Sequence, residues 1–195
     1  LDDLQCAFSS MEGLIAGKNE KSICVHMVMG NEEVGSGTRQ GAASTFLRDT
    51  LLRINLGLGR SYEDYLISLA KSFMISADNA HAVHPNYTEK ADPTNRPYLN
   101  EGIVLKFNAN QKYCTDAVSA AMFRDLCKLA DVPVQTFTNR SDMAGGSTLG
   151  NISNTQVALN TVDIGLPQLA MHSPYETAGV KDTEYLVRAA KEFFC

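Results

Sequence analysis

The run Ile23-Cys24-Val25-His26-Met27-Val28-Met29, closed by Gly30-Asn31 and followed at once by Glu32-Glu33, decides how the rest of the chain is read. Seven nearly continuous apolar residues ending at turn formers predict a β-strand covered on both faces, which belongs in a sheet packed between helices. His26, inside that strand, is taken as structural. Upstream, Leu4, Phe8, Met11, Leu14 and Ile15 recur at helical spacing, and Gly17 can close the helix. Downstream, Thr38 to Leu56 resumes helical periodicity with Phe46, Leu51 and Ile54 on one side. The order is helix, strand, helix.

The same alternation continues. Tyr62 to Lys71 is amphipathic, and Phe73 to Ala77 is a short apolar strand that stops at Asp78. Ala80 to Asn100 is polar and rich in His, Pro, Asn and Tyr, and reads as a long functional loop. Gly102 to Phe107, Pro133 to Thr138 and part of Val157 to Ile164 predict strands. Asp116 to Ala130 and Asp182 to Phe194 predict helices, the last with Tyr185, Leu186, Ala189 and Phe193 as its apolar face. The expected fold is α/β, a mainly parallel β-sheet sandwiched between helix layers, with no repeat or linker to mark a second domain. In such sheets ligands bind beyond the carboxyl ends of the strands, so polar residues just after each strand are the first functional candidates.

Bulk properties narrow the function. The chain has 195 residues, 44% hydrophobic and 20% charged, enough to bury one sizeable core. Its formal charge of −5 comes with no concentrated basic stretch, which excludes the electrostatic footprint of a nucleic-acid binder or a polybasic membrane patch. No apolar run approaches the ~20 residues that cross a bilayer. A peptide or small-molecule substrate fits better. Cys6, Cys24, Cys114, Cys127 and Cys195 are irregularly spaced and contain no C-x-x-C pair. That pattern argues against a disulfide framework and a thiolate zinc site, and points to a reducing, cytoplasmic setting. The opening Leu1-Asp2-Asp3 has no strand or cap before it, so the chain reads as a fragment.

Applied along the chain, the strand-end rule selects Glu32 and Glu33 after Gly30, Asp78 after Ala77, and His172 beyond the strand near Ile164. Carboxylate and imidazole donors suit zinc or a similar divalent ion such as Mn2+ or Co2+. Asp2 offers a further carboxylate able to bridge two ions. Each residue alone also has a plain structural explanation: Asp2 as a helix cap, Asp78 as a turn former, His172 as a hydrogen-bonded loop histidine. His81 and His84 fit either an incidental surface or a substrate wall. Asp142 to Gly150 is glycine-rich but lacks both GK[ST] and GxGxxG, which rejects nucleotide binding in favour of a tight turn near substrate.

In combination the residues resemble one family. LDDL (Leu1 to Leu4), GNEEVGS (Gly30 to Ser36), SFMISADNAHAVHPNY (Ser72 to Tyr87), GIVLKFN (Gly102 to Asn108), SDMAGGSTLGNI (Ser141 to Ile152) and DIGLPQLAMHSPYETAG (Asp163 to Gly179) are similar to the aspartyl aminopeptidases, which are co-catalytic zinc exopeptidases. The resemblance implies that Asp2 bridges two Zn2+ ions, that Glu33 and His172 complete the ligands of one, and that Asp78 helps hold the other. Glu32 becomes the general base for a water acidified by the two cations. His81 is implied near the scissile carbonyl, and Lys106 with Tyr113 near the pocket for the N-terminal residue, where a lysine would pair with Asp or Glu. A solvated strand-end lysine is the other reading of Lys106.

The family also uses a histidine upstream of the bridging aspartate and an inserted dimerisation domain, and neither lies within residues 1–195. The expectation is therefore the C-terminal part of a catalytic domain, active in its parent and doubtful alone. The family implies a large hollow homo-oligomer, a dodecamer, acting on peptides. Two rival readings are a non-catalytic assembly subunit of the same fold and another two-metal amidohydrolase such as a deacylase.

Overall fold

The computed structural model describes residues 1–195. Helix α1 (Leu4–Ala16) ends at Gly17 as its periodicity predicts, and packs along α6 (Val180–Phe193). The two helices approach backbone to backbone, because a Cβ at Gly13 would lie 2.3 Å from the Ala190 Cβ. Helices α2 (Phe46–Gly57) and α3 (Tyr62–Ala70) form a hairpin, with α3 opened by a Ser61/Asp64 capping box. Helix α4 (Ala117–Leu129) opens the same way on Asp116 and Ser119, and α5 (Leu149–Ser153) is a short turn of helix.

Four strands, β1 (Phe73–Ala77), β3 (Ile103–Phe107), β4 (Val134–Thr138) and β5 (Asn160–Gly165), form one sheet in the order β1-β5-β3-β4. A second sheet is made of β2 (Ala80–His81), β6 (Pro167–Leu169) and β7 (Thr177–Ala178), in the order β2-β6-β7. The pairs β1/β5, β3/β4 and β2/β6 are parallel, whereas β3/β5 and β6/β7 are antiparallel. This is the expected α/β architecture with parallel pairing dominant.

Strand alternation divides the residues between the two faces of the main sheet. Ile103 and Leu105 of β3, with Val162 and Ile164 of β5, pack on Cys6 of α1, Phe123 and Cys127 of α4 and Leu186 and Ala189 of α6. Cys6 and Cys127 are thus buried hydrophobes, as expected, and all five cysteines are free. The alternate residues point the other way: Val104 packs with Ala80, Tyr113 and Phe137, and Asp163 lies against Gly150 of α5.

Two expectations need correction. Ile23–Met29 joins no sheet; no backbone hydrogen bond of the chain involves any of its seven residues. Apolar sequence favours an extended backbone, but a strand exists only where a neighbour accepts its ladder, and none of the chain's strands runs alongside. Ile23 and Val28 remain exposed. His26 does take a structural role, with its Nε2 2.9 Å from Ser10 Oγ on α1. Second, the helix expected from Thr38 starts only at Phe46. The backbone before it is committed to a loop closed by Gly30 N–H to Gln40 O (2.9 Å), with Ala43 N–H donating to Ser36 O. Within the polar stretch 80–100 lie β2 and a short 3-10 turn, Thr88–Lys90, which its weak periodicity did not announce.

Candidate metal centre

One cavity of about 1030 Å3 is lined by all eight residues selected from the sequence: Asp2, Glu32, Glu33, Asp78, His81, Lys106, Tyr113 and His172. Parallel strands β1 and β5 set its geometry. Asp78 follows β1 directly, and its N–H donates to Ile164 O of β5 (3.1 Å). Strand β5 continues through Leu166 into β6, whose hairpin to β7 carries His172. The closed Gly30–Gln40 loop presents Glu32 and Glu33, and Asp2 comes just before Asp3, the N-cap residue of α1.

At the centre, His172 Nε2 lies 3.0 Å from Asp2 Oδ2 and 3.0 Å from Glu33 Oε1. Asp2, Asp3 and Asp78 form an adjoining group, and each group has its ligand atoms within 4.8 Å of one another. Asp2 belongs to both, the position a bridging carboxylate requires. Its side chain is 6% exposed, yet its Oδ1 is buried with no hydrogen-bond partner. A buried, unpaired carboxylate oxygen is costly unless something positive meets it. Imidazole and carboxylate donors with that orphaned oxygen fit a zinc-like divalent cation. The helix-cap reading of Asp2 fails, because no side chain caps α1 and the cap position belongs to Asp3.

The electrostatics tell the same story. Burial, followed by the charges of Asp78 and Glu33, pushes Asp2 up to about 7; burial and then Asp78 push Asp3 up to about 8. Burial, then Asp78 and Glu33, also raises Glu32. Burial alone would lower His172, but Glu33 and Asp2 outweigh it and the imidazole rises. His81 keeps an exposed surface, yet the protein packed around it, together with Lys106 and His172, holds its pKa down. Crowded anions without a counter-charge hold their protons, and a divalent cation would release them.

Lys106 is not the solvated lysine of one sequence reading. It is 2% exposed, donates to Asn79 O (2.7 Å) and Asp78 Oδ2 (3.4 Å), and holds its ammonium 5.5 Å from the Tyr113 ring centroid. Burial opposes its charge, but Asp78 and Tyr113 raise its pKa on balance. Its stem passes over Gly165, where a Cβ would sit 2.9 Å from Lys106 Cε and 2.1 Å from Asp78 O. Only glycine leaves that passage open.

Three carboxylates escaped the sequence reading. Asp3 joins the second acidic group and accepts from Asn79 N–H (3.2 Å). Asp163, fully buried, accepts from Cys114 N–H (2.6 Å), Cys114 Sγ (2.9 Å) and Thr148 Oγ1 (2.9 Å), tying the Tyr113 loop to the glycine-rich wall. An acid inside the apolar strand NTVDIG was its available signal. Glu176 accepts backbone N–H groups from both Asp2 and His172, and nothing in SPYE distinguishes it from a surface acid.

An α/β fold that gathers carboxylates and a histidine around one cavity, with donors suited to a divalent cation, defines the class as an α/β protein with a candidate metal centre. Residues 1–194 match the family described as aminopeptidase I zinc metalloprotease, M18. A relative from Clostridium novyi, named as a probable M18 family aminopeptidase 2, is 50% identical over 194 residues, covering 100% of this chain and 45% of the relative. A chain of the Ape4 and Nbr1 complex solved by cryo-electron microscopy superposes with a TM-score of 0.93 at 42% identity, over 100% of this chain and 38% of that one. The S. cerevisiae mApe1 dodecamer gives 0.82 at 29% identity, over 99% and 44%. The chain belongs to the M18 zinc aminopeptidase family, that of the aspartyl aminopeptidases. It spans less than half the length of these relatives. No helix is long and apolar enough to cross a membrane.

Proposed function

We propose that these residues form the C-terminal part of the catalytic domain of a cytoplasmic aminopeptidase that removes single acidic residues, Asp or Glu, from peptide N-termini. Asp2 would bridge two zinc ions, Glu33 and His172 would complete the protein ligands of one, and Asp78 would serve the other. A further histidine and a dimerisation domain would come from polypeptide outside residues 1–195. When bound, the ions supply Lewis-acid stabilisation of developing negative charge and acidify water.

The chain's own residues divide the remaining work. Glu32, with its pKa raised by burial and by Asp78, takes the proton of the attacking water and delivers it to the leaving amine. His81, kept neutral by its surroundings, faces the scissile carbonyl. Lys106, its charge held under cover beside Tyr113, pairs with the acidic side chain of the N-terminal residue. The dodecameric relative supports a large homo-oligomer, and a hollow assembly whose interior admits short peptides belongs to the same proposal.

The observation that carries this reading is the meeting of Asp2, Glu33 and His172 at 3.0 Å on the rim of the cavity that also holds Glu32. The test uses the complete polypeptide, assayed for zinc content and for hydrolysis of aspartyl, glutamyl and leucyl chromogenic amides. Zinc near two equivalents per subunit and a strong preference for the acidic substrates are expected, and Lys106→Met should abolish that preference. Equal turnover of leucyl and aspartyl amides by the unsubstituted enzyme would remove the role of Lys106. Activity without bound metal would remove the reading altogether.

A further inference from the structure

Strands β6 and β7 pair antiparallel, with Leu169 opposite Thr177, so residues 170–176 form the hairpin loop that carries His172. Its backbone is unusual. Ala170 and His172 sit at φ +55° and +67°, in the left-handed region that non-glycine residues seldom occupy. Such conformations persist where the surroundings hold them in place. The His172 backbone takes part in no backbone–backbone hydrogen bond outside the regular elements, so something else fixes it.

That something is the last residue of the loop. Glu176 turns its carboxylate back across the hairpin, and Oε1 accepts the His172 N–H at 2.7 Å. Its Oε2 accepts the Asp2 N–H at 3.2 Å and also meets the Leu1 nitrogen. A single side chain, 14% exposed, therefore ties together two segments 170 residues apart in sequence, each carrying one member of the His172–Asp2 pair. The His172 ring itself is 59% exposed, so packing does little to hold it. Asp2 and Glu33 both approach the same imidazole at 3.0 Å, so the spacing of the three side chains depends on where their backbones are held.

We propose that Glu176 is a positioning residue for the cation site, a single carboxylate that sets the spacing of Asp2 and His172 before any ion arrives. It contributes no donor atom. Its two oxygens accept charge-assisted bonds from the main chain of the two ligand residues, which holds the site preorganised instead of leaving the ion to assemble it. The inference rests on reading Asp2, Glu33 and His172 as a divalent cation site.

The complete polypeptide and its Glu176→Gln and Glu176→Ala variants are titrated with Zn2+ against a competing chelator and with Co2+ followed by its visible absorption. Circular dichroism confirms folding. Glu176→Ala is expected to lower zinc affinity by about 10- to 100-fold, the range for residues that orient metal ligands, and to alter the Co2+ band intensity that reports coordination geometry. Glu176→Gln keeps the size and one acceptor oxygen but turns an amide NH2 towards a main-chain donor, so a smaller loss of several-fold is expected. Wild-type zinc affinity and an unchanged Co2+ spectrum in Glu176→Ala overturn the proposal. If Glu176→Ala does not fold, the same result in Glu176→Gln overturns it, and a several-fold loss with an altered spectrum sustains it. Failure of the unsubstituted complete polypeptide to bind either ion refutes the cation-site reading itself, and the role of Glu176 falls with it.

Discussion

Zinc affinity of this chain should depend on pH far more steeply than that of a site built from ordinary carboxylates. Asp2 must lose its proton to ligate, and burial, Asp78 and Glu33 hold its pKa at about 7 instead of 3.8. The sign follows directly: a raised pKa means the proton competes with the ion until the pH passes it. Apparent affinity scales with the deprotonated fraction, so Asp2 alone costs about tenfold at pH 6 and about 100-fold at pH 5, relative to pH 8. His172, its pKa raised by Glu33 and Asp2 against the opposing effect of burial, also carries a proton that the ion must displace, which steepens the fall. The loss at pH 5 therefore exceeds the roughly 100-fold due to Asp2 alone. Between pH 6 and pH 5 the logarithm of affinity should fall by clearly more than one, because two protons are displaced. Competition with a chelator of known pH dependence measures the slope. Calorimetry in two buffers of different ionisation enthalpy counts the protons released. A slope near one would mean that only the histidine titrates, and would refute Asp2 as a buried ligand of raised pKa.

Glu32→Gln in the complete polypeptide should keep its zinc and lose ~100- to 10,000-fold in turnover, whereas Glu33→Ala should weaken zinc binding; wild-type turnover in Glu32→Gln would displace it as the base. The metal-free chain should lose thermal stability as pH rises. Asp2 and Asp3 bind protons more tightly folded than unfolded, so their contribution is full below about pH 3.8 and disappears as pH climbs through about 7 to 8. A thermal midpoint that rises steadily from pH 5 to pH 8 without metal would contradict this. Asp163→Ala leaves the Cys114 N–H and Thr148 hydroxyl without an acceptor, at ~1–3 kcal/mol each, and urea unfolding should show a loss of several kcal/mol. A loss under ~1 kcal/mol would mean that water replaces the carboxylate.

How much of this was legible depended on whether the deciding interaction was local. The periodicities of α1, α4 and α6 are properties of contiguous residues, and the structure returns them nearly to the residue. The acids after Gly30 and Ala77 are equally local, because the end of an apolar run is visible in sequence whether or not the run pairs as a strand. The pairing of Ile23–Met29 is not, since it depends on a neighbour and no strand of this chain provides one. Strands β6 and β7, three and two residues long, carry too little alternation to be seen. A solvated lysine stood as one of two readings of Lys106 because charge normally implies exposure. Only the approach of Asp78 and the gap at Gly165 reveal why it is buried. Glu176 is the extreme case, since its role consists entirely of contacts across the fold.

The antiparallel β3/β5 pair explains how one small sheet serves both stability and the site. Along β5, Val162 and Ile164 enter the helix-packed core while Thr161 and Asp163 point to the opposite face; along β3, Leu105 enters the core while Val104 and Lys106 point away from it. Because β3 runs against β5, Lys106 comes from a strand that does not end where Asp78 emerges, and it reaches Asp78 only by its long stem crossing Gly165. A fully parallel sheet would place such a lysine at a strand end beside the acids, in solvent. Here the reversal brings it in from beneath, so its charge stays covered and fixed to Asn79 O while the acids gather at the rim. Alternation within each strand thus keeps the apolar packing independent of the cavity. Substitutions at Lys106 or Asp78 should alter binding more readily than they alter the helix-facing core, whereas substitutions at Leu105 or Ile164 should do the reverse.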